Sequence, residues 1–149
     1  MSAPGRIRTP LTELTGVEHP IVQTGMGWVA GPRLVAATAR AGGLGILASA
    51  TMNLDHLEKA ILEVQERTDR PFGVNLRADA GDAASRIDLL IRHGVRVASF
   101  ALAPKPELIA RLKASLGEDG PLPDIPPGYH CHALGGQRMW CHGGTDGTP

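Results

Sequence analysis

The chain has 149 residues, the size of one ordinary domain, and its 42% apolar content is enough to build a buried core. Lysine plus arginine equal aspartate plus glutamate, and aromatic residues make up only 3%. The sequence therefore lacks the basic surface and the stacking platforms of a nucleic-acid partner, and equally the charge of a membrane-surface binder. No apolar run approaches the ~20 residues of a spanning helix, and no apolar segment follows the arginines of the first ten residues, so neither a membrane span nor a signal peptide is expected. The expected location is cytoplasmic. Both cysteines, Cys131 and Cys141, lie near the C-terminus, so no disulfide framework is implied for the body.

Ile21-Val22-Gln23 is a short strand-like run ending at Gly25 and Gly27. Pro32 suits the first turn of a helix whose apolar face would carry Leu34, Val35, Thr38 and Ala41, with Gly42-Gly43 as its stop. Leu44 to Leu47 predicts a second buried strand. Asn53 is a good N-cap, Asp55 suits the positive end of the dipole, and Leu54, Leu57, Ile61 and Val64 form a stripe at helical spacing. Glu63 and Arg67 are placed for an i,i+4 pair. Pro71 introduces a third strand, Phe72 to Leu76. Asp82 is placed to cap a helix carrying Ala84, Ile87, Leu90 and Ile91, closed by Gly94. Val95 to Phe100 predicts a fourth strand, and Pro106 opens a helix with Leu108, Ile109 and Leu112 inward.

Strand starts near Ile21, Gly45, Phe72 and Val95 lie 24, 27 and 23 residues apart. That near-constant period is the mark of repeated βα units, which build either a doubly wound sheet or a (β/α)8 barrel. A whole barrel takes about 250 residues, so four units in the first ~115 are half a barrel at the expected density. The expected architecture is α/β: the first four βα units of a (β/α)8 barrel over residues 1–114, followed by an irregular tail. Residues 115–149 are rich in glycine and proline and show no sustained apolar period, so disorder and no fifth strand are expected there.

In a parallel barrel the functional residues lie at the C-terminal ends of the strands. Here those positions hold Gln23-Thr24-Gly25-Met26-Gly27, Ala48-Ser49-Ala50, Asn75 and Ala101-Leu102-Ala103. They include no general base, nucleophile or metal ligand; they suit a flat, partly apolar ring held by backbone groups and one or two amides. Glycines beside Met26 let main-chain atoms approach a ligand closely. The spacing G-x-G-x-x-x-G from Gly25 to Gly31 also suggests a dinucleotide fold, but no acidic residue ends the second strand to hold a ribose. Taken alone, these glycines read as a structural turn, Asn75 as a strand-end cap and Met26 as core filler. His19, His56 and His93 read as surface or helix-end residues. His130, Cys131, His132, Cys141 and His142 match no common zinc spacing, so no metal is expected.

The stretch V-E-H-P-I-V-Q-T-G-M-G-W-V-A-G-P-R-L-V-A-A-T-A-R-A-G-G-L-G-I-L-A, Val17 to Ala48, resembles the opening of nitronate monooxygenases, formerly called 2-nitropropane dioxygenases. P-F-G-V-N-L, Pro71 to Leu76, resembles the same family's third strand, and the likeness runs from about Leu11 to Lys113. The resemblance implies an FMN-binding barrel that oxidises alkyl nitronates with molecular oxygen. It places Gln23, Thr24, Gly25, Met26 and Gly27 against the flavin and gives Asn75 a hydrogen bond to it. The family's histidine beside the flavin and its glycine-rich phosphate loops belong to the second half of the barrel, and neither has a counterpart here in the expected context. No catalytic residue is therefore assigned. The expectation is a family-like first half that breaks off after Lys113 through truncation or a shifted reading frame. A flavin-dependent enoyl-acyl-carrier-protein reductase is the nearest rival among enzymes. A non-catalytic fragment that self-associates through open sheet edges is the rival from another class.

Overall fold

In the computed structural model, residues 7–102 and 104–112 are described in full, and 113–114, 130–134 and 138–142 by their backbone. A short helix, α1 (Pro10–Thr15), precedes four βα units: β1 (Val22–Gln23) and α2 (Pro32–Arg40), β2 (Leu44–Ala48) and α3 (Leu54–Arg67), β3 (Phe72–Arg77) and α4 (Ala83–Arg92), β4 (Val97–Ala101) and α5 (Pro106–Ala114). β1 to β4 are parallel and adjacent in chain order.

Strands β2 to β4 are buried on both faces over most of their length, which is why they read as near-continuous apolar runs. Phe72, Val74, Leu76, Ala98 and Phe100 join Leu47 in the larger core, together with Leu57, Ile61, Val64, Ile87, Leu90, Leu108 and Leu112 from the helices. Residues of the opposite parity, Leu44, Ile46 and Val97, form a second cluster with Val17, against which Leu11 of α1 packs. The period of two along a strand thus puts Asn75 and Ser99 on the face opposite the helices, one step beyond Gly73 and Val97.

Most helix signals act as expected. Asn53 caps α3 by accepting from the His56 amide, and Glu63 pairs with Arg67 at 2.8 Å. Asn53→Ala is expected to cost about 1 kcal/mol, read as a lowered melting temperature by circular dichroism. Three expectations need correction. On α2 the buried residues are Val35, Ala36 and Ala39, while Leu34 and Ala41 are exposed. A Cβ at Gly45 would lie 2.6 Å from the Val35 carbonyl oxygen, so α2 rides directly on β2 and only small side chains fit that seam. Asp82 precedes α4 but makes no capping bond, because its carboxylate is taken by Arg86. Finally, β4 starts two residues after Val95, whose amide instead closes the turn after α4 by donating to Leu90. α1 was not foreseen; Thr9 and Thr12 form a reciprocal capping box with Pro10 behind them.

The tail also departs from expectation. β5 (His130–Leu134) and β6 (Arg138–His142) pair antiparallel, and β6 pairs parallel with β4, so the β4 edge of the sheet is covered rather than open. The other tail positions lie outside the described residues. Among the described residues, no helix is long and apolar enough to cross a membrane.

Candidate functional site

The C-terminal ends of β1 to β4 bring Gly25, Ser49, Asn75 and Ser99 together. Gly25 sits directly on Asn75: a Cβ at position 25 would lie 2.6 Å from Asn75 Cβ and 3.1 Å from its Cγ. Real carbon contacts stop at about 3.5 Å, so only glycine permits this approach. Asn75 Nδ2 donates to Ser99 Oγ at 3.3 Å and to the Ser99 carbonyl at 3.5 Å. Ser49, fully buried, donates from Oγ to the Asn75 carbonyl at 2.6 Å.

A buried arginine holds this corner from behind. Arg86 on α4 donates to the Ser49 carbonyl at 2.8 Å and to the Met52 carbonyl at 2.6 Å, and its Nε donates to Asp82 at 2.9 Å. Its side chain is 9% exposed. The loop after β2 is thereby tied to α4, and Ser49 to Asn75.

On β1, Gln23 Nε2 donates to the carbonyls of Thr24 and Ile46, and its Oε1 is buried with no hydrogen-bond partner. A buried orphan acceptor is costly, about 1–3 kcal/mol, and marks a place where a donor is missing. Thr24, Met26 and Gly27 are exposed. Trp28 adopts φ 66° and is 90% exposed; Leu102, after β4, adopts φ 78° and is 58% exposed. Left-handed backbone at a bulky residue costs about 1–2 kcal/mol, and such strain clusters at functional sites. Arg77, two residues beyond Asn75 on the same face, pairs with Asp79 at 2.6 Å.

Four carboxylates among the described residues are held low by a hydrogen-bonding partner. Hydrogen bonds from Arg77, Arg86 and Arg111 hold Asp79, Asp82 and Asp88 below the usual range, and His93 does the same to Glu58 at 2.7 Å. A folded-state value below the unfolded one adds stability above the unfolded value and loses it as pH falls through the folded one. The melting temperature is therefore expected to drop as pH falls below about 4, the ordinary carboxylate range. Asp82→Asn combined with Asp88→Asn should flatten that drop; an unchanged acid slope would refute the assignment.

Of the residues singled out from the sequence, Gly25 and Asn75 are in contact and Gln23 lies beside the same strand ends, whereas Thr24, Met26 and Gly27 form the exposed loop above them. Ser99, Arg86, Trp28 and Arg77 were missed. A polar residue inside the otherwise apolar fourth strand was the available signal for Ser99. His93 closes α4 as expected but also bonds Glu58 across to α3. Among the described residues, no group of histidines, cysteines or carboxylates could hold a metal ion.

The family model described as nitronate monooxygenase matches residues 8–93. The chain belongs to the nitronate monooxygenase family. It is 63% identical over 147 residues to a Mycobacterium tuberculosis protein named (3aS,4S,5R,7aS)-5-hydroxy-7a-methyl-1-oxo-octahydro-1H-indene-4-carboxyl-CoA dehydrogenase, covering 95% of this chain and 40% of that one. Among solved structures it is similar to FabK from Thermotoga maritima, with TM-score 0.70 and 40% identity over 73% of this chain and 35% of that one. It is also similar to a nitroalkane oxidase from Streptomyces ansochromogenes, with TM-score 0.61 and 30% identity over 72% of this chain and 40% of that one. The chain thus spans about two fifths of the length of these relatives. Its parallel four-stranded sheet alternating with helices is the first half of the (β/α)8 barrel of this family.

Proposed function

We propose that the C-terminal face of β1 to β4 is the flavin-ring side of an FMN-dependent oxidoreductase site. The observation that carries this reading is the seating of Asn75 on Gly25 beside the orphan acceptor of Gln23. The edge of an oxidised flavin ring presents one N–H between two carbonyls, and this site offers amide oxygens, a hydroxyl and main-chain groups in a small, flat area. These residues fit such a ring. FMN, when bound, supplies the electron acceptor that the side chains at this site lack. Asn75 and Gln23 would hold the polar edge of the ring, and the Gly25 to Gly27 segment would lie against it. The resemblance puts the phosphate loops and the histidine beside the flavin in the second half of the barrel.

Two substrates compete. The family's description favours an alkyl nitronate with molecular oxygen. The 63% identical relative is named for a bicyclic acyl-CoA, and the exposed Trp28, Val29 and Leu102 at the site's rim favour a bulky apolar substrate. A hydroxyacyl-CoA oxidoreductase acting in the cytoplasm is therefore the leading proposal for the substrate, with the nitronate reaction as the alternative. The test is anaerobic mixing of the purified chain, loaded with FMN, with an alkyl nitronate, with an alicyclic hydroxyacyl-CoA and with NAD(P)H. Bleaching of the oxidised-flavin band by the acyl-CoA alone is the expected result. Bleaching by the nitronate alone would make the nitronate reaction the right one, and bleaching by NAD(P)H alone would point to an enoyl-thioester reductase. No bleaching by any of them would favour a non-catalytic fragment. That last reading draws on the β1 edge of the sheet, where the apolar Ile21 and Val22 are exposed.

A further inference from the structure

Arg77 is the only charged residue on strands β1 to β4. It ends β3, two residues and about 7 Å beyond Asn75 on the same face. Its register partner is Ala101, and the residue after that is the exposed Leu102. Arg77 is therefore the one cation that these strands offer to a ligand on this face. Asp79 now occupies it. The chain turns at Ala78 and Asp79, with the Ala80 amide donating to the Arg77 carbonyl at 3.3 Å, and the turn brings the carboxylate back to the guanidinium. The contact is a fork: Nε donates to Oδ1 at 3.0 Å and Nη2 to Oδ2 at 2.6 Å. Both side chains stay about half exposed, and pairs so exposed contribute little, so Asp79 is readily exchanged. A replacement has to match it, which calls for a planar anion with two oxygens side by side.

We propose that Arg77 determines substrate specificity on this face: its fork takes a planar two-oxygen anion, and Asp79 fills the fork until that anion arrives. Two compounds of the proposed reactions have this chemistry. An alkyl nitronate carries both oxygens on one nitrogen. A β-hydroxyacyl-CoA becomes, on oxidation, a β-keto thioester, whose enolate holds two oxygens in one plane once its α-proton has passed to the buffer. The inference rests on the reading of the strand ends as the reacting site and uses no contact to the flavin.

The test is titration calorimetry of the purified chain without added flavin, so that no turnover intervenes. Propyl nitronate is compared with neutral 1-nitropropane, and acetoacetyl-CoA with CoA, which has the same phosphates and no oxygen pair. At least one of the two anions is expected to bind saturably, about tenfold or more tighter than its counterpart. Asp79→Asn removes the competing charge and should tighten that anion about fivefold. Arg77→Lys keeps the charge without the fork and should weaken it about tenfold, and Arg77→Met should abolish the preference. Binding of acetoacetyl-CoA should also raise the ultraviolet band of its enolate, and Arg77→Met should remove that rise. A merely structural ion pair would give neither the tightening nor the band, and melting curves report any loss of folding. A response to the nitronate or to acetoacetyl-CoA supports the proposal and tells which anion the fork takes. A preference that survives in Arg77→Met, an affinity that Asp79→Asn leaves unchanged, or no saturable binding of either anion overturns it. FMN titration of the same preparation keeps the two readings apart: FMN binding with none of these responses overturns only the role of Arg77, and these responses without FMN binding overturn only the flavin reading.

Discussion

Gly25→Ala is expected to weaken FMN binding at least tenfold, and to do so with only a modest loss of stability. The new methyl would stand 2.6 Å from Asn75 Cβ, about 1 Å inside ordinary contact. One of the two partners has to move. Asn75 sits in a central strand, with its carbonyl held by Ser49 and its amide by Ser99. Gly25 lies just past a two-residue edge strand, so the segment Thr24 to Gly27 gives way. That displacement separates the main chain of this segment from Asn75 and breaks the surface on which the ring would lie. Overpacking of this kind typically costs about 1–3 kcal/mol, and at an edge strand the lower end applies. FMN titration and thermal melting of the same preparation separate the two effects. Unchanged affinity would show that the ligand does not use the Gly25–Asn75 contact.

The second large effect is on folding. Arg86→Met is expected to destabilise the chain by about 3 kcal/mol, a large share of the roughly 5–15 kcal/mol that holds a domain of this size. Methionine preserves much of the aliphatic volume, so the loss reports the hydrogen bonds. Without the guanidinium, the Met52 carbonyl loses this donor, the Ser49 carbonyl keeps only the Met52 amide, and the Asp82 carboxylate loses its partner. Hydrogen bonds to a charged group contribute about 1.5–3 kcal/mol each. Arg86→Lys should recover only part of this, because a single ammonium cannot serve both carbonyls and Asp82 in the forked geometry of a guanidinium. Chemical denaturation of the three proteins tests it, and equal midpoints for Arg86 and methionine would contradict it.

How much of this was legible in the sequence follows from the range of each interaction. Strands β2 to β4 and helix α3 announced themselves because their signals are local: apolar runs bounded by glycine and proline, an Asn53 cap, a stripe at helical spacing. The face of α2 was misread by one position because Leu34 is more apolar than Ala36 or Ala39; what decides the face is the flatness of Gly45 on the neighbouring strand, which selects small residues. α1 is only six residues long, and its apolar period is too short to register, though Thr9-Pro10 followed by Thr12 is a start signal in its own right. The strands of the tail gave no alternating pattern, and glycines flank them on both sides.

The candidate site divides the same way. Gly25 was marked by its position after a strand, Asn75 by its place in the later part of one, and both by the family resemblance. Ser99 and Arg86 were not, because their roles depend on partners 24 and 37 residues away. Only the register of β3 on β4 puts Ser99 beside Asn75, and only the packing of α4 behind the loop after β2 brings Arg86 to Ser49. Asp82 illustrates the same limit from the other side: a good capping residue by type, it was claimed by Arg86 four residues on.

The central claim is that the C-terminal face of the four strands binds a flavin ring through Gly25 and Asn75. The most direct measurement is a titration of FMN with the purified chain, followed by absorbance and fluorescence, alongside Gly25→Ala and Asn75→Ala. Saturable binding with a perturbed flavin spectrum, weakened about tenfold or more in both variants, is the predicted result. An FMN spectrum that the unaltered chain leaves unchanged, or binding that both variants retain in full, would contradict it.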